Sequence, residues 1–480
     1  MNIISRNKVT TPLHTGRGLG VGLLLCLLLT SCGLYNKYER PDNVQTQGLI
    51  RDVVSDGDTL AVAPQDTASF GNLPWRSVFT DPQLQALIEQ GLEKNANLQN
   101  AVLNVQMYEA MLKAAKLAFL PAINIGGTTP VGTIQTTYTD PSVTTKSYAI
   151  PATASWTLDL FGNILSQKRS TQMKLLGMKD YQMAVRAQVI SGIANAYYTL
   201  MMLDEQLRIV TSMGETSKET WEMMQQQFTL GRVRSTSVQS AEAAYLSTQT
   251  QANDFRRQIR STENALCLLI GQPGQTVPRS TLNQQSLPTE FATGVGVALL
   301  QNRPDVHNAE MSLAACFHDV QTARSQFYPN ITIGASVSFS NLNGTTNPGK
   351  WLTTLFGSLT QPIFNRGALT ANLKVKKMQY EQAFNTWQNA ILQAGNEVSN
   401  ALVNYTNYDA NSKIETQRVE ILTKNVEDTR ALYQSSGSSY LEVLSAQSQL
   451  LSAQINKASN DFNKMQAVVS LYTALGGGGK

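Results

Sequence analysis

Beyond its N-terminal region the chain has no apolar run approaching the roughly 18 residues that a membrane helix needs. If the mature protein crosses a bilayer, it must do so with strands. Histidine is scarce: His14 lies in the N-terminal region, and His307 and His318 share one expected helix without metal-ligand spacing. There is no phosphate-cradling glycine loop and no nucleophile elbow, so no enzyme and no cofactor is expected. Charged residues make up 15% of the chain and the net charge is +4, with no dense basic cluster, so nucleic acid is not an expected partner. Proline is missing between Pro151 and Pro273 and again after Pro362.

Those two gaps point to very long helices, because proline in a helix interior costs about 3 kcal/mol. In the first gap Val185, Val189, Ile193, Ala196, Leu200, Leu203, Leu207 and Val210 step by four or three. In the second, Tyr380, Phe384, Trp387, Ile391, Ala394, Val398, Leu402 and Tyr405 do the same. Roughly 65 residues of helix would reach on the order of 100 Å, too long for one compact globule. Met183, Ala187, Ile190, Ala194 and Tyr197 fall off the first stripe. A helix that is apolar on more than one side packs against more than one neighbour. A wall of side-by-side helices accounts for this better than an isolated coiled coil.

The N-terminus reads as an export signal over 1–31, with Arg6, Lys8 and Arg17 ahead of an apolar core, Leu19 to Leu29. The run ends Leu29-Thr30-Ser31-Cys32-Gly33, which looks like a bacterial lipobox with Cys32 as the lipidated residue. Small residues directly before Cys32 favour this over an ordinary signal peptide. A covalent lipid would anchor the chain to a bilayer through residues 32–72, which are rich in Asp, Gln, Thr and Gly and read as an anchor followed by an extended linker. Cys267 and Cys316 sit in apolar helical contexts. Buried free thiols are the default, and a disulfide between them is the alternative.

From residue 73 the chain plays one pattern twice. In the first repeat, 73–287, a helix ends at Phe119-Leu120-Pro121. Two alternating strand patterns follow over about 121–161, then a long helix over about 163–228 and a shorter one over about 235–270. The second repeat, 288–476, has a helix over about 305–327 and strands over about 330–363. Its long helix covers about 367–434 and its shorter one about 441–475. Residues 477–480 read as a flexible glycine tail. The strands alternate apolar with small polar residues, which suits a membrane barrel and equally a soluble hairpin with one buried face. Four strands cannot close a barrel, since the smallest use about eight, and an open edge in lipid leaves backbone groups unpaired. Membrane strands here would have to be shared among several chains.

Several segments then carry a family resemblance. They are Leu73-Pro74-Trp75, Phe79-Thr80-Asp81-Pro82, Phe119-Leu120-Pro121 and Leu158-Asp159-Leu160-Phe161-Gly162. The most specific is Leu299-Leu300-Gln301-Asn302-Arg303-Pro304-Asp305-Val306, followed by Ala309-Glu310 and Phe327-Tyr328-Pro329. Over nearly all of its mature length the chain resembles a TolC-type outer membrane factor, in the lipoprotein branch of the RND efflux outer-membrane channels. The resemblance implies a mixed α+β membrane protein. A homotrimer would share one transmembrane β-barrel, four strands per chain and about twelve in all, continued by a long periplasmic α-helical barrel. It implies a periplasmic adaptor protein and an inner-membrane transporter as partners. Arg303, Pro304 and Asp305 have a structural role as a charged helix start.

In such proteins the periplasmic gate lies where each long helix turns into its shorter one. Here those turns hold Gly231 and Gly437, and Tyr433 matches a tip tyrosine of some members. Glu442 falls where the family often narrows the bore with carboxylates. Ser445 departs from a second acidic position, and no arginine follows Gly437, which puts a salt-bridged latch at this turn in doubt. Three Glu442 side chains would form a cation-binding constriction; a solvated helix-face glutamate is the alternative. The expected function is a passive outer-membrane exit channel of a tripartite efflux pump. The alternatives are the duct of a type I protein secretion system and a structural coiled-coil lipoprotein.

Overall fold

The computed structural model describes residues 36–41, 70–126, 148–285, 303–341, 350–363, 365–435 and 439–479, with backbone alone at 148–150, 283, 338–341 and 350–352. Cys32 and Gly437 lie outside these residues, as do the signal segment and most of the linker.

Two short helices, α1 (Trp75–Val78) and α2 (Pro82–Lys94), lead into α3 (Ala96–Leu117). Strands β1 (Ala122–Ile125) and β2 (Tyr148–Leu158) precede helices α4 (Asn163–Thr229) and α5 (Ser235–Leu269). The order then repeats as α6 (Pro304–Ser325), β3 (Asn330–Asn341), β4 (Lys350–Thr360), α7 (Ala368–Gln434) and α8 (Tyr440–Ala474). Corresponding helices have equal lengths: 22 residues for α3 and α6, 67 for α4 and α7, and 35 for α5 and α8. Asp81 starts α2 as its N-cap, accepting from Gln83 N at 2.8 Å, with Pro82 in the first turn where a missing N–H costs nothing.

The chain divides into two compact units. One holds 1–40, 113–170 and 316–379, and its centre is an antiparallel sheet in the order β1-β2-β3-β4. The register sorts the side chains onto two faces. Ile123 pairs with Ala154, Trp156 with Ile333, Leu158 with Ile331 and Ile331 with Leu359, so one face is apolar. Asn124, Thr153, Thr157, Thr332, Ser336 and Ser358 lie on the other face. The apolar face is open: Ile123 is 76% exposed and Leu355 83%. The register also places the ends of β1 and β2 next to helices, and those of β3 and β4, at the same end of the sheet: Ala122 lies opposite Ser155, Leu158 opposite Ile331 and Asn330 opposite Thr360.

The other unit, 41–112, 171–315 and 380–480, is helical in its described residues. Two adjacent stripes of α4 are buried, Val189–Ile193–Tyr197–Leu200 and Ile190–Ala194–Tyr198–Met201, giving a broad apolar face. The segment before α2 packs on the end of α8: the Phe70 and Phe79 rings meet Tyr472 edge-on at 5.6 and 5.9 Å, and Tyr472 Oη donates to Leu73 O at 2.8 Å.

Each repeat closes its short helix in the same way. Gly271 and Gly476 adopt φ of 67° and 83°. The next N–H then turns back, Gln272 N to Cys267 O at 2.8 Å and Gly477 N to Tyr472 O at 2.9 Å. The start of an earlier helix of the same repeat takes a remaining carbonyl. Asn95 Nδ2 donates to Leu269 O at 2.8 Å, and Arg303 Nη1 donates to Ala474 O at 2.9 Å.

The glycine run expected as a flexible tail over 477–480 is instead packed. Residues 477–479 are buried, and Arg186 Nη1 donates to Gly478 O at 3.4 Å. A Cβ at Gly477 would sit 2.4 Å from the Tyr472 ring, and Gly478, at φ 81°, lies against Ala187. The run is glycine because no side chain fits there. Gly477→Ala is therefore expected to cost about 1–3 kcal/mol. Gly126→Ala, with nothing within 4 Å of the added Cβ, should be neutral. Thermal unfolding of the detergent-purified protein checks this, and an unchanged Tm for Gly477→Ala contradicts the packed run.

Candidate functional site

The turn from α4 to α5 is set by Gly231, at φ 70°. Gly231 N bonds Phe228 O at 2.8 Å and Arg232 N bonds Gln227 O at 2.9 Å, leaving Phe228 and Leu230 exposed. The corresponding turn after α7 contains Gly437, outside the described residues. Close to the Gly231 turn lies a small apolar cluster of Met224 from α4, Ala241 from α5 and Tyr440 from α8, flanked by Trp221, Val233 and Tyr433. Tyr433 Oη donates to Met224 Sδ at 3.6 Å, and the Tyr433 and Tyr440 rings meet edge-on at 6.4 Å. Burial, with a smaller contribution from Tyr433, raises the Tyr440 hydroxyl to about 12.

Glu442 stands exposed in the first turn of α8, where the helix dipole favours a carboxylate. Ser439 Oγ donates to its Oε1 at 3.3 Å. The structure thus joins Tyr433 to the cluster and leaves Glu442 on the surface beside it. An ion pair does occur near this turn, from a residue before it: Arg430 Nη2 lies 3.2 Å from Glu219 Oε2 of α4. Sequence reasoning missed Arg430, Met224 and Tyr440. Their only signal was position, within two helical turns of the glycines.

Arg303, Pro304 and Asp305 occupy the start of α6. The Arg303 side chain is only 7% exposed. Its guanidinium meets Asp305 with two bonds, 3.0 and 2.8 Å, and Glu397 of α7 at 2.6 Å, besides the Ala474 carbonyl. Burial pushes the Asp305 carboxyl up, but Arg303 and the Val306 N–H outweigh it and hold it below the usual range. Three groups, one from each of three helices, converge on one guanidinium through four hydrogen bonds, which makes Arg303 a clasp.

The histidines hold structural positions. His307 Nδ1 lies 2.6 Å from the buried Asp180 carboxylate. His318 is buried, and burial together with Arg169 pushes it down to about 4 despite Asp319, so it is neutral near pH 7. A buried knot missed from sequence holds Asp81, whose Oδ2 accepts from Tyr197 Oη at 2.7 Å, from Gln285 Nε2 at 2.8 Å and from Ser280 Oγ. No metal-ligand cluster occurs among the described residues. Cys267 and Cys316 are not joined by a disulfide; Cys267 is buried and Cys316 half-buried. Cys32 is outside the description, but the segment just after it docks on the sheet-bearing unit. Arg169 Nη1 donates to Asn36 O at 3.5 Å, and Tyr38 meets Phe317 edge-on at 6.0 Å.

The family model for outer membrane efflux proteins matches residues 87–272 and 295–477. The cation efflux system protein CusC of Escherichia coli O157:H7 is 27% identical over 457 residues, 95% of this chain and 97% of CusC. The probable outer membrane lipoprotein SilC of Salmonella typhimurium is 26% identical over 415 residues, 85% of this chain and 89% of SilC. A crystal structure of CusC superposes with a TM-score of 0.77 at 26% identity, over 88% of this chain and 99% of that one.

The Tyr440 environment has a pH signature. The neutral phenol stabilises the cluster fully below about pH 10, and the contribution disappears as pH rises through about 12. Tyr197 and Tyr198 are also pushed up by burial, so tyrosinate absorbance should show several late-titrating groups, and Tyr440→Phe should lower their number by one. If Tyr440→Phe leaves the amplitude of the late titration unchanged, the buried assignment is wrong.

Proposed function

Because the chain belongs to the outer membrane efflux protein family, we propose that it is the passive exit duct of a tripartite efflux pump, carrying small molecules out through the outer membrane. The observation that carries this reading is the sheet. It has four strands, an exposed apolar face, a polar face and two edges without a partner among the described residues. Such a sheet is stable in lipid only when copies close it into a barrel. In the proposed assembly three chains form a homotrimer with one barrel of about twelve strands, polar face inward. Each repeat, 73–287 and 288–476, contributes one hairpin and one pair of long and short helices. The helices continue the duct into the periplasm, where an adaptor and an inner-membrane transporter supply cargo and energy. The lipid on Cys32 anchors each protomer.

The gate is the end of the duct formed by the Gly231 and Gly437 turns. There Tyr433 belongs to the closing cluster and Glu442 to a constriction in which like charges favour cations. Planar-bilayer recording of the purified oligomer tests both levels. Wild type is expected to insert and conduct with cation preference and divalent block, and Glu442→Ala to conduct more with weaker preference and block. A soluble monomer that never conducts ends the duct reading. Conductance unaltered by Glu442→Ala ends only the constriction.

A further inference from the structure

We propose that the helix-bearing end of the sheet is a collar that binds the phosphate headgroups of anionic phospholipids in the adjoining leaflet. The inference rests on the duct reading and names a partner for it. Four helix ends meet here and are tied together. Trp156 Nε1 donates to Phe119 O at 2.9 Å at the end of α3, and Lys168 Nζ of α4 lies 5.9 Å from the Phe119 ring centre. Phe161 stacks on Tyr328 at 4.9 Å, Asn163 Nδ2 donates to Ser325 Oγ at 2.9 Å, and Asn372 Nδ2 of α7 donates to Gln326 Oε1 at 3.2 Å. Phe119, Trp156, Phe161 and Tyr328 thus form an aromatic band at the rim of an exposed apolar sheet face, where amphipathic rings settle between hydrocarbon and water.

Just beyond that band basic residues outnumber acidic ones. Lys113, Lys116, Lys168, Arg169, Arg324 and Arg366 all belong to this unit and lie within about 15 Å of helix from the strand ends. The carboxylates described in the unit are Glu39, Asp159 and Asp319. Two of them are engaged: Asp159 accepts from Ile164 N and Leu165 N, and Asp319 from Ser170 Oγ. Glu39 stands between Lys37 and Arg40. Lys113, Lys116, Arg324 and Arg366 are exposed, and no described carboxylate pairs with them. This local excess contrasts with a whole chain of nearly balanced charge, 38 basic against 34 acidic residues. Long basic side chains next to an aromatic rim reach into the headgroup layer, and a phosphate there supplies the missing counter-charge.

The test is native mass spectrometry of the full-length oligomer taken from mixed phosphatidylglycerol and phosphatidylcholine bilayers. Wild type is expected to retain phosphatidylglycerol by about fivefold over phosphatidylcholine. Combined Lys113→Gln, Lys116→Gln and Arg324→Gln is expected to abolish that preference. Arg256→Gln, Arg257→Gln and Lys424→Gln, which remove as much charge from the helical unit, should leave it intact. Phosphate and chloride at matched ionic strength should weaken retention equally. Equal retention of the two lipids by wild type, preference surviving the collar variant, or selective competition by free phosphate each overturns the proposal. Circular dichroism of the collar variant shows that it folds, and bilayer conductance of wild type separates the two readings. A folded, conducting protein without lipid preference in wild type loses the collar and keeps the duct, whereas absence of conductance in wild type removes the duct itself.

Discussion

The structure depends on what happens at the two edges of a four-stranded sheet. β1 and β4 each have one neighbour among the described residues, so each presents a row of backbone N–H and C=O groups to its surroundings. In water such an edge is a liability for aggregation; in hydrocarbon every unpaired group costs several kcal/mol. The exposed apolar face makes the same demand from another direction, because Ile123, Leu355 and Leu359 gain nothing in water. A bilayer and further copies of the chain meet both demands together. In the proposed assembly, one protomer is a wall segment of a closed barrel.

The helical unit solves a related problem, the orphan carbonyls at helix ends. Each repeat presents the end of its short helix to the start of an earlier helix, but with different chemistry. The neutral amide of Asn95 meets Leu269 O, while the cationic Arg303 meets Ala474 O and carries two carboxylates with it. The two closures share a geometry and differ in the side chains that supply it. The second version places a cation at the helix C-terminus, where the dipole favours it, and the start of α6, the end of α8 and Glu397 of α7 are drawn to that one guanidinium.

Features that depend on local periodicity or sterics were legible in the sequence; those that depend on a distant partner were not. The missing prolines and the alternation of Ile331, Ile333 and Ala335 each state a local preference, and the protein is indeed mostly helical with a small antiparallel sheet. The pairing of Leu158 with Ile331 joins residues far apart in the chain, and a period of two carries no label for its partner. Asn95 looks like any surface asparagine until Leu269 arrives beside it. The glycines at 477–479 were misread for the same reason: without side chains they imply freedom, and only the Tyr472 ring and Ala187 show that they are confined. At the tip, Arg430 and Glu219 stand on different helices, so no motif around Gly437 could reveal them.

The two ends of the helical unit are held unequally, and this bears on how a passive duct can be gated. At one end Arg303, the Asp81 knot and the pair of Arg279 with the buried Glu263 at 2.8 Å are desolvated networks. Breaking one member there strands a buried charge, at a cost of several kcal/mol. At the other end the ties among the described residues include an exposed ion pair between Arg430 and Glu219, a weak contact of Tyr433 with a thioether, and a small cluster around Met224, Ala241 and Tyr440. An exposed pair is worth about 0–1 kcal/mol. Opening that needs energy only from protein contacts must be inexpensive where it occurs and prohibitive elsewhere. In the proposed duct, weak contacts at the tip would let the modest binding energy of a docking partner move it while the clasped networks hold.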